Sequence, residues 1–145
     1  MLRRCIELAL AFGHSLDKIL PGCHFEENLL NGKEMHVLRI LAYDPPSEGT
    51  VLIGKRHYDR SAFTIKIADS HSGLRFIGDE SVVESHPGKV LIFSGVKSET
   101  RSGGIIKPLE HEVIGTAAGK LGRRWSIVFF AHTPDPYPAW FKENV

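Results

Sequence analysis

Residues 57–67 read His57-Tyr58-Asp59-Arg60-Ser61-Ala62-Phe63-Thr64-Ile65-Lys66-Ile67. His57 ends one β-branched run, Val51–His57, and a second run begins at Ala62. Two short apolar runs around a polar break predict strand, turn, strand. The same texture fills the chain after Gly32. Eight segments are predicted as strands: Met35–Tyr43, Val51–His57, Ala62–Ile67, Gly73–Ile77, Ser81–Glu84, Lys89–Phe93, Ile105–Val113 and Arg124–His132. The breaks carry Asp44-Pro45-Pro46, Gly78-Asp79, Pro87-Gly88, Gly103-Gly104 and the run from Gly119 to Gly122. Strands that return without helices between them pair mostly antiparallel, as in a sandwich or barrel. A jelly roll, or double-stranded β-helix, arranges eight of them economically.

Upstream the period changes. Leu2, Ile6, Ala9, Leu10, Leu16 and Leu20 recur at helical spacing, and Pro21-Gly22 ends the pattern. A second short helix is expected over Glu26–Leu30, before Asn31-Gly32. The expected fold is therefore mainly β, a double-stranded β-helix with one or two N-terminal helices. The expected division is a helical segment, 1–34, a β core, 35–133, and a tail, 134–145, whose prolines 134, 136 and 138 cannot continue a ladder.

Composition narrows the function. A chain of 145 residues can bury a core as one domain. Lys+Arg 18 against Asp+Glu 17 leaves a net charge of +1, without the basic footprint of a nucleic-acid binder. No apolar run approaches the ~18 residues of a membrane span. Glu7 breaks the apolar start and no small-residue cleavage pattern follows, so no secretory leader is expected. Cys5 and Cys23 form no CxxC and suit free thiols in a reducing compartment, hence a cytoplasmic protein.

Eight histidines are the notable excess. Two have a carboxylate two residues on, His24–Glu26 and His57–Asp59, and with 17 acidic residues in 145 about one such pair is expected by chance. Context separates them. Glu26 reads as a first-turn helix acid. His57 and Asp59 follow a strand, where residues two apart share a face. His111, in Glu110-His111-Glu112-Val113, is the best third candidate. Two imidazoles and one carboxylate on one face, with the opposite side open, form the facial triad of non-haem Fe(II) oxygenases. In Arg124-Trp125-Ser126-Ile127-Val128, the side chains of Arg124, Ser126 and Val128 share a strand face. An inward arginine needs an anion, and its fork fits a carboxylate.

These pieces occur in a familiar order. Leu38-Arg39-Ile40-Leu41-Ala42-Tyr43-Asp44-Pro45-Pro46, His57-Tyr58-Asp59, Ser72-Gly73-Leu74-Arg75-Phe76 and Pro87-Gly88-Lys89-Val90-Leu91-Ile92-Phe93 lead to the stretches around His111 and Arg124. The segment Met35–His132 resembles the catalytic core of the isopenicillin N synthase-like Fe(II)/2-oxoglutarate-dependent dioxygenases. The resemblance implies a double-stranded β-helix holding one Fe(II) through His57, Asp59 and His111. It implies 2-oxoglutarate held by Arg124 and Ser126, with a hydroxyl contact from Tyr43. The activity implied is O2-dependent oxidation of an organic small molecule, by hydroxylation or desaturation, with release of succinate and CO2.

Two other readings of the same residues stay open. One is a non-catalytic or degenerate metal-binding barrel, and the other is a related Fe(II) oxidase that uses no 2-oxoglutarate. The resemblance also implies a longer N-terminal region walling the substrate pocket. Only 34 residues precede the first core strand here. A fragment, a reduced form, or a partner that supplies the missing wall would each account for this.

Overall fold

The computed structural model describes residues 1–79, 81–116 and 123–141. Among these residues seven strands form two antiparallel sheets. They are β1 (Val37–Tyr43), β2 (Thr50–His57), β3 (Phe63–Asp69), β4 (Leu74–Phe76), β5 (Leu91–Ser94), β6 (His111–Thr116) and β7 (Arg124–Ala131). The larger sheet runs β1-β7-β3-β5 and the smaller β2-β6-β4. Strand β7 lies between β1 and β3, pairing Tyr43 with Arg124 and Ile65 with Phe129. Period-two alternation then sorts the side chains. Phe63, Ile65, Phe129 and Ala131 turn to the outer face of the larger sheet, in the main apolar core. Thr64, Lys66, Arg124 and Ser126 turn inward and line an internal cavity.

Two helices, α1 (Leu2–Ile19) and α2 (Phe25–Asn31), cover that outer face. The residues that α1 buries are Cys5, Ala9 and Gly13, small side chains spaced four apart. The expected Leu2 is exposed, because the contact line runs through the small residues instead. At Gly13 a Cβ would meet Leu29 Cδ1 at 2.8 Å, so the missing side chain lets the helices approach. Asp17 of α1 accepts hydrogen bonds from the Phe25 and Glu26 N–H groups at 2.6 and 3.0 Å, satisfying orphan donors at the start of α2. Glu26 itself pairs with His14 at 2.8 Å. Among the described residues no helix is long and apolar enough to cross a membrane.

Three expectations change. The described residues of the predicted strand Ser81–Glu84 form no strand. Asp79 accepts from the Ser81 N–H and hydroxyl, curling the chain, and the Val83 N–H donates to the Leu74 carbonyl outside any ladder. The strand predicted from Ile105 begins only at His111; Pro108 has no N–H to donate, and the Ile106 N–H goes to the Ser102 hydroxyl. Between β5 and β6 the chain forms an unforeseen helix, α3 (Val96–Arg101). The break read from Gly119 to Gly122 lies outside the described residues.

Candidate metal centre

His57 and His111 end one strand and begin another, and they stand directly opposite in the β2–β6 ladder. Their ring centroids are 4.4 Å apart. Asp59 lies two residues past β2, where the chain crosses toward the other sheet. Its Oδ1 is 3.4 Å from His57 Nε2 and 3.7 Å from His111 Nε2. One ligand atom from each residue falls within 4.8 Å of the others, a spacing that fits one ion among them.

The hydrogen bonds around the triad prepare it for a cation. The Nδ1 of His57 lies 2.6 Å from the Lys55 carbonyl, and that of His111 lies 3.2 Å from the Leu109 carbonyl. A carbonyl can only accept, so each Nδ1 donates, and Nε2 is the atom each ring turns toward Asp59, where a metal would replace any proton it carries. Asp59 Oδ2 accepts from Thr64 Oγ1 at 2.5 Å, leaving Oδ1 toward the histidines. Burial works to raise the Asp59 carboxyl, but the His57 hydrogen bond, the His111 charge and Thr64 outweigh it, and its pKa falls below the ordinary value. His57 is raised, chiefly by its bond to Asp59, whereas burial lowers His111.

Helix α3 fixes the ligand loop through main chain. The N–H groups of Val96 and Lys97 donate to the Asp59 and Ser61 carbonyls at 2.8 and 3.2 Å. Gly95 makes the approach possible: a Cβ there would meet the Ser61 carbonyl oxygen at 2.3 Å.

From the triad a cavity of about 70 Å³ runs between the sheets to Arg124, Ser126 and Tyr43. Arg124 is buried there, with its guanidinium 5.4 Å from the Tyr43 ring centroid. Burial pushes the Tyr43 hydroxyl upward, with Arg124 opposing, so it keeps its proton. Arg124 already has a carboxylate, however. Its Nη2 is 3.0 Å from Asp69 Oδ2, and its Nε donates to the His71 carbonyl at 3.1 Å. The Ser126 hydroxyl points to the Ala68 carbonyl at 3.4 Å. A wider cleft of about 670 Å³ opens on the other side of the triad, lined by Arg39, Tyr43, Tyr58, Phe130 and Phe141 among others.

The profile of the 2OG-Fe(II) oxygenase superfamily matches residues 34–133. The chain belongs to this superfamily. Among solved structures it is similar to a full-length Neurospora crassa protein in complex with alpha-KG, at 17% identity and a TM-score of 0.73 over 92% of this chain and 44% of that one. It is similar also to the dioxygenase for auxin oxidation in rice (23% identity, TM-score 0.61, 72% of this chain and 38% of that one). A third is JOX2 in complex with 2OG, Fe and JA (22%, 0.66, 92% and 39%). The chain thus spans less than half the length of each of these structures. No curated protein sequence matches it. The shared fold with these oxygenases is the jelly roll expected from the strand pattern.

In this superfamily member the structure brings His57, Asp59 and His111 together, and sets Arg124, Ser126 and Tyr43 at the far end of one cavity. Sequence reasoning missed Thr64, Lys66 and Asp69. The signal was present in Phe63-Thr64-Ile65-Lys66-Ile67, where polar residues alternate with core residues. A polar residue on the inner face of a strand marks a site as clearly as the histidines do. Phe130 lines both cavities.

Proposed function

We propose that this chain is the catalytic core of an Fe(II)- and 2-oxoglutarate-dependent oxygenase. The observation that carries the reading is the convergence of His57 Nε2, His111 Nε2 and an Asp59 oxygen within 4.8 Å, at the mouth of a cavity that ends on a buried arginine. Two imidazoles and one carboxylate suit Fe(II) and occupy one face of it. Fe(II) with 2-oxoglutarate and O2 supplies an oxidant for an unreactive C–H bond, with succinate and CO2 released.

The chain's own part is placement. Lys55 and Leu109 carbonyls set the histidine tautomers, and Thr64 holds the carboxylate. Arg124 and Ser126, with the Tyr43 hydroxyl, receive the distal carboxylate of 2-oxoglutarate. The sheets exclude water from the narrow cavity, and the wide cleft beside His57 takes a small organic substrate. Residues 1–34 brace the larger sheet and 35–133 carry the chemistry; in the segment read from sequence as a tail, 134–145, Phe141 lines the wide cleft. The free thiols of Cys5 and Cys23 support a reducing, cytoplasmic setting.

One observation favours a second reading. Asp69 on Arg124 suits an Fe(II) protein that uses no 2-oxoglutarate. Anaerobic addition of Fe(II) and then 2-oxoglutarate separates the two. A weak visible charge-transfer band that requires both, and weakens in Arg124→Ala, supports the oxygenase. Tight iron binding without the band selects the alternative.

A further inference from the structure

The far end of the narrow cavity holds two cations against one carboxylate. Lys66 Nζ is 2.9 Å, and Arg124 Nη2 3.0 Å, from the same oxygen, Asp69 Oδ2. Their side chains are 6% and 5% exposed, and that of Asp69 is 0%. Ser85 completes the cluster: it receives a bond from Lys66 at 2.7 Å and donates to Asp69, but it is neutral. Tyr43 offers Arg124 a ring face and no charge. Asp59, the other carboxylate on the cavity, is committed to the histidines and Thr64 at the opposite end. Among the described residues the cluster therefore carries one buried positive charge in excess, a state that proteins avoid unless a partner arrives.

Donor counting gives the same answer. An ammonium has three donors and a guanidinium five. Among the described residues Lys66 directs donors to Asp69 and Ser85, and Arg124 to Asp69 and His71. Both keep unspent donors, and both line the cavity.

We propose that Lys66 is a second cationic anchor, so that the distal carboxylate of 2-oxoglutarate is bound by Lys66 and Arg124 jointly. The proposal rests on the oxygenase reading above. Asp69 is then the shared counter-ion that holds the two cations side by side, not a plug that excludes the ligand. One arriving carboxylate brings the cluster to neutrality. Alternation along β3 is what aims Lys66 inward beside Thr64, so one strand serves both ends of the cavity.

The test compares two 2-oxo acids that chelate iron identically. 2-Oxoglutarate has the distal carboxylate; 2-oxopentanoate has a methyl group in its place. Affinities are read anaerobically from the charge-transfer band of the Fe(II)-loaded protein, for wild type, Lys66→Met, Lys66→Arg and Arg124→Met. Wild type should prefer 2-oxoglutarate by about tenfold or more, the scale of a charge-assisted hydrogen bond. Lys66→Met should lose most of that preference while binding 2-oxopentanoate and iron as wild type does, and Lys66→Arg should restore part of it. Equal weakening of both acids in Lys66→Met would mark Lys66 as structural and overturn the proposal, as would an unchanged preference. Loss of preference in Arg124→Met but not in Lys66→Met overturns this inference and leaves the oxygenase reading standing. No band in wild type overturns that reading itself. Should Lys66→Met fail to fold, judged by its melting transition, Lys66→Gln carries the same comparison.

Discussion

Thr64 Oγ1 donates a 2.5 Å hydrogen bond to Asp59 Oδ2, and this leaves Oδ1 facing both His57 and His111. The bond joins an inward residue of β3 to a ligand held in the loop before it. Thr64→Val keeps the shape and removes the donor. Supporting hydrogen bonds of this kind typically affect metal affinity by about 10–100-fold. A loss in that range is expected by metal titration, with Thr64→Ser close to wild type. Unchanged affinity in Thr64→Val would show that the bond does not position the carboxylate.

The histidines themselves should matter more. His57→Ala and His111→Ala should each weaken Fe(II) binding beyond the effect of Thr64→Val. The metal-free proteins should part company in stability. His111 is 4% exposed and packs against Phe93, whereas the His57 side chain is half exposed. His111→Ala should therefore lower the melting temperature clearly and His57→Ala only slightly. Iron affinity that survives in both variants would remove the triad.

Arg124→Ala should retain iron and lose 2-oxoglutarate. Removing one member of a buried, hydrogen-bonded charge pair costs about 2–5 kcal/mol. Asp69 keeps Lys66 as its partner in the variant, so the fold should survive. Iron titration and 2-oxoglutarate titration on the same preparation check both halves. A weakening below about tenfold would discard Arg124 as an anchor.

Acid should destabilise the protein in a defined window. Burial first, and then the charges of Lys97, His36 and Arg39, lower His132 from 6.5 to about 4. Burial lowers His36 as well. A folded pKa below the unfolded one means that the unfolded chain takes up protons first. Stability from these groups is whole above the ordinary 6.5 and falls as pH drops toward about 4. Below about 4 the His132 contribution levels off. The depressed Asp59 carboxyl adds a further loss only below its ordinary 3.8. Melting temperatures measured across this range should decline with acid, and His132→Gln should flatten the slope. An equal slope in the variant would exclude His132 as a source.

Gly95→Ala should strike fold and site together. The added Cβ would meet the Ser61 and Asp59 carbonyl oxygens at 2.3 and 2.8 Å, and both are backbone atoms that cannot swing aside. A lower melting temperature together with weaker iron binding is expected. A stable variant with intact iron affinity would mean that α3 does not hold the ligand loop.

The strands that bury one face were legible because alternation repeats over several residues, as in β1, β3 and β7. The metal candidates were legible because His57 and Asp59 lie two residues apart at a predicted strand end and His111 falls in another predicted strand, Ile105–Val113. What escaped depends on the third dimension. Ser81–Glu84 has strand composition, but a side-chain turn at Asp79 diverts it. Helix α3, Val-Lys-Ser-Glu-Thr-Arg, is one short turn or two without an amphipathic repeat, and long-range bonds to Asp59 and Ser61 support it. Arg124 was legible as an inward cation. The carboxylate at Asp69 was not, because only the β3–β7 pairing brings residues 55 positions apart into contact.

The Asp59–Ser61 loop is gripped by its carbonyls, and a carbonyl is the same whatever side chain stands beside it. Arg60, between the two gripped residues, lines the wide cleft. The main-chain bonds at Asp59 and Ser61 do not depend on which side chain stands at this position. The main-chain grip thus separates the placement of Asp59 from the identity of the side chain that follows it.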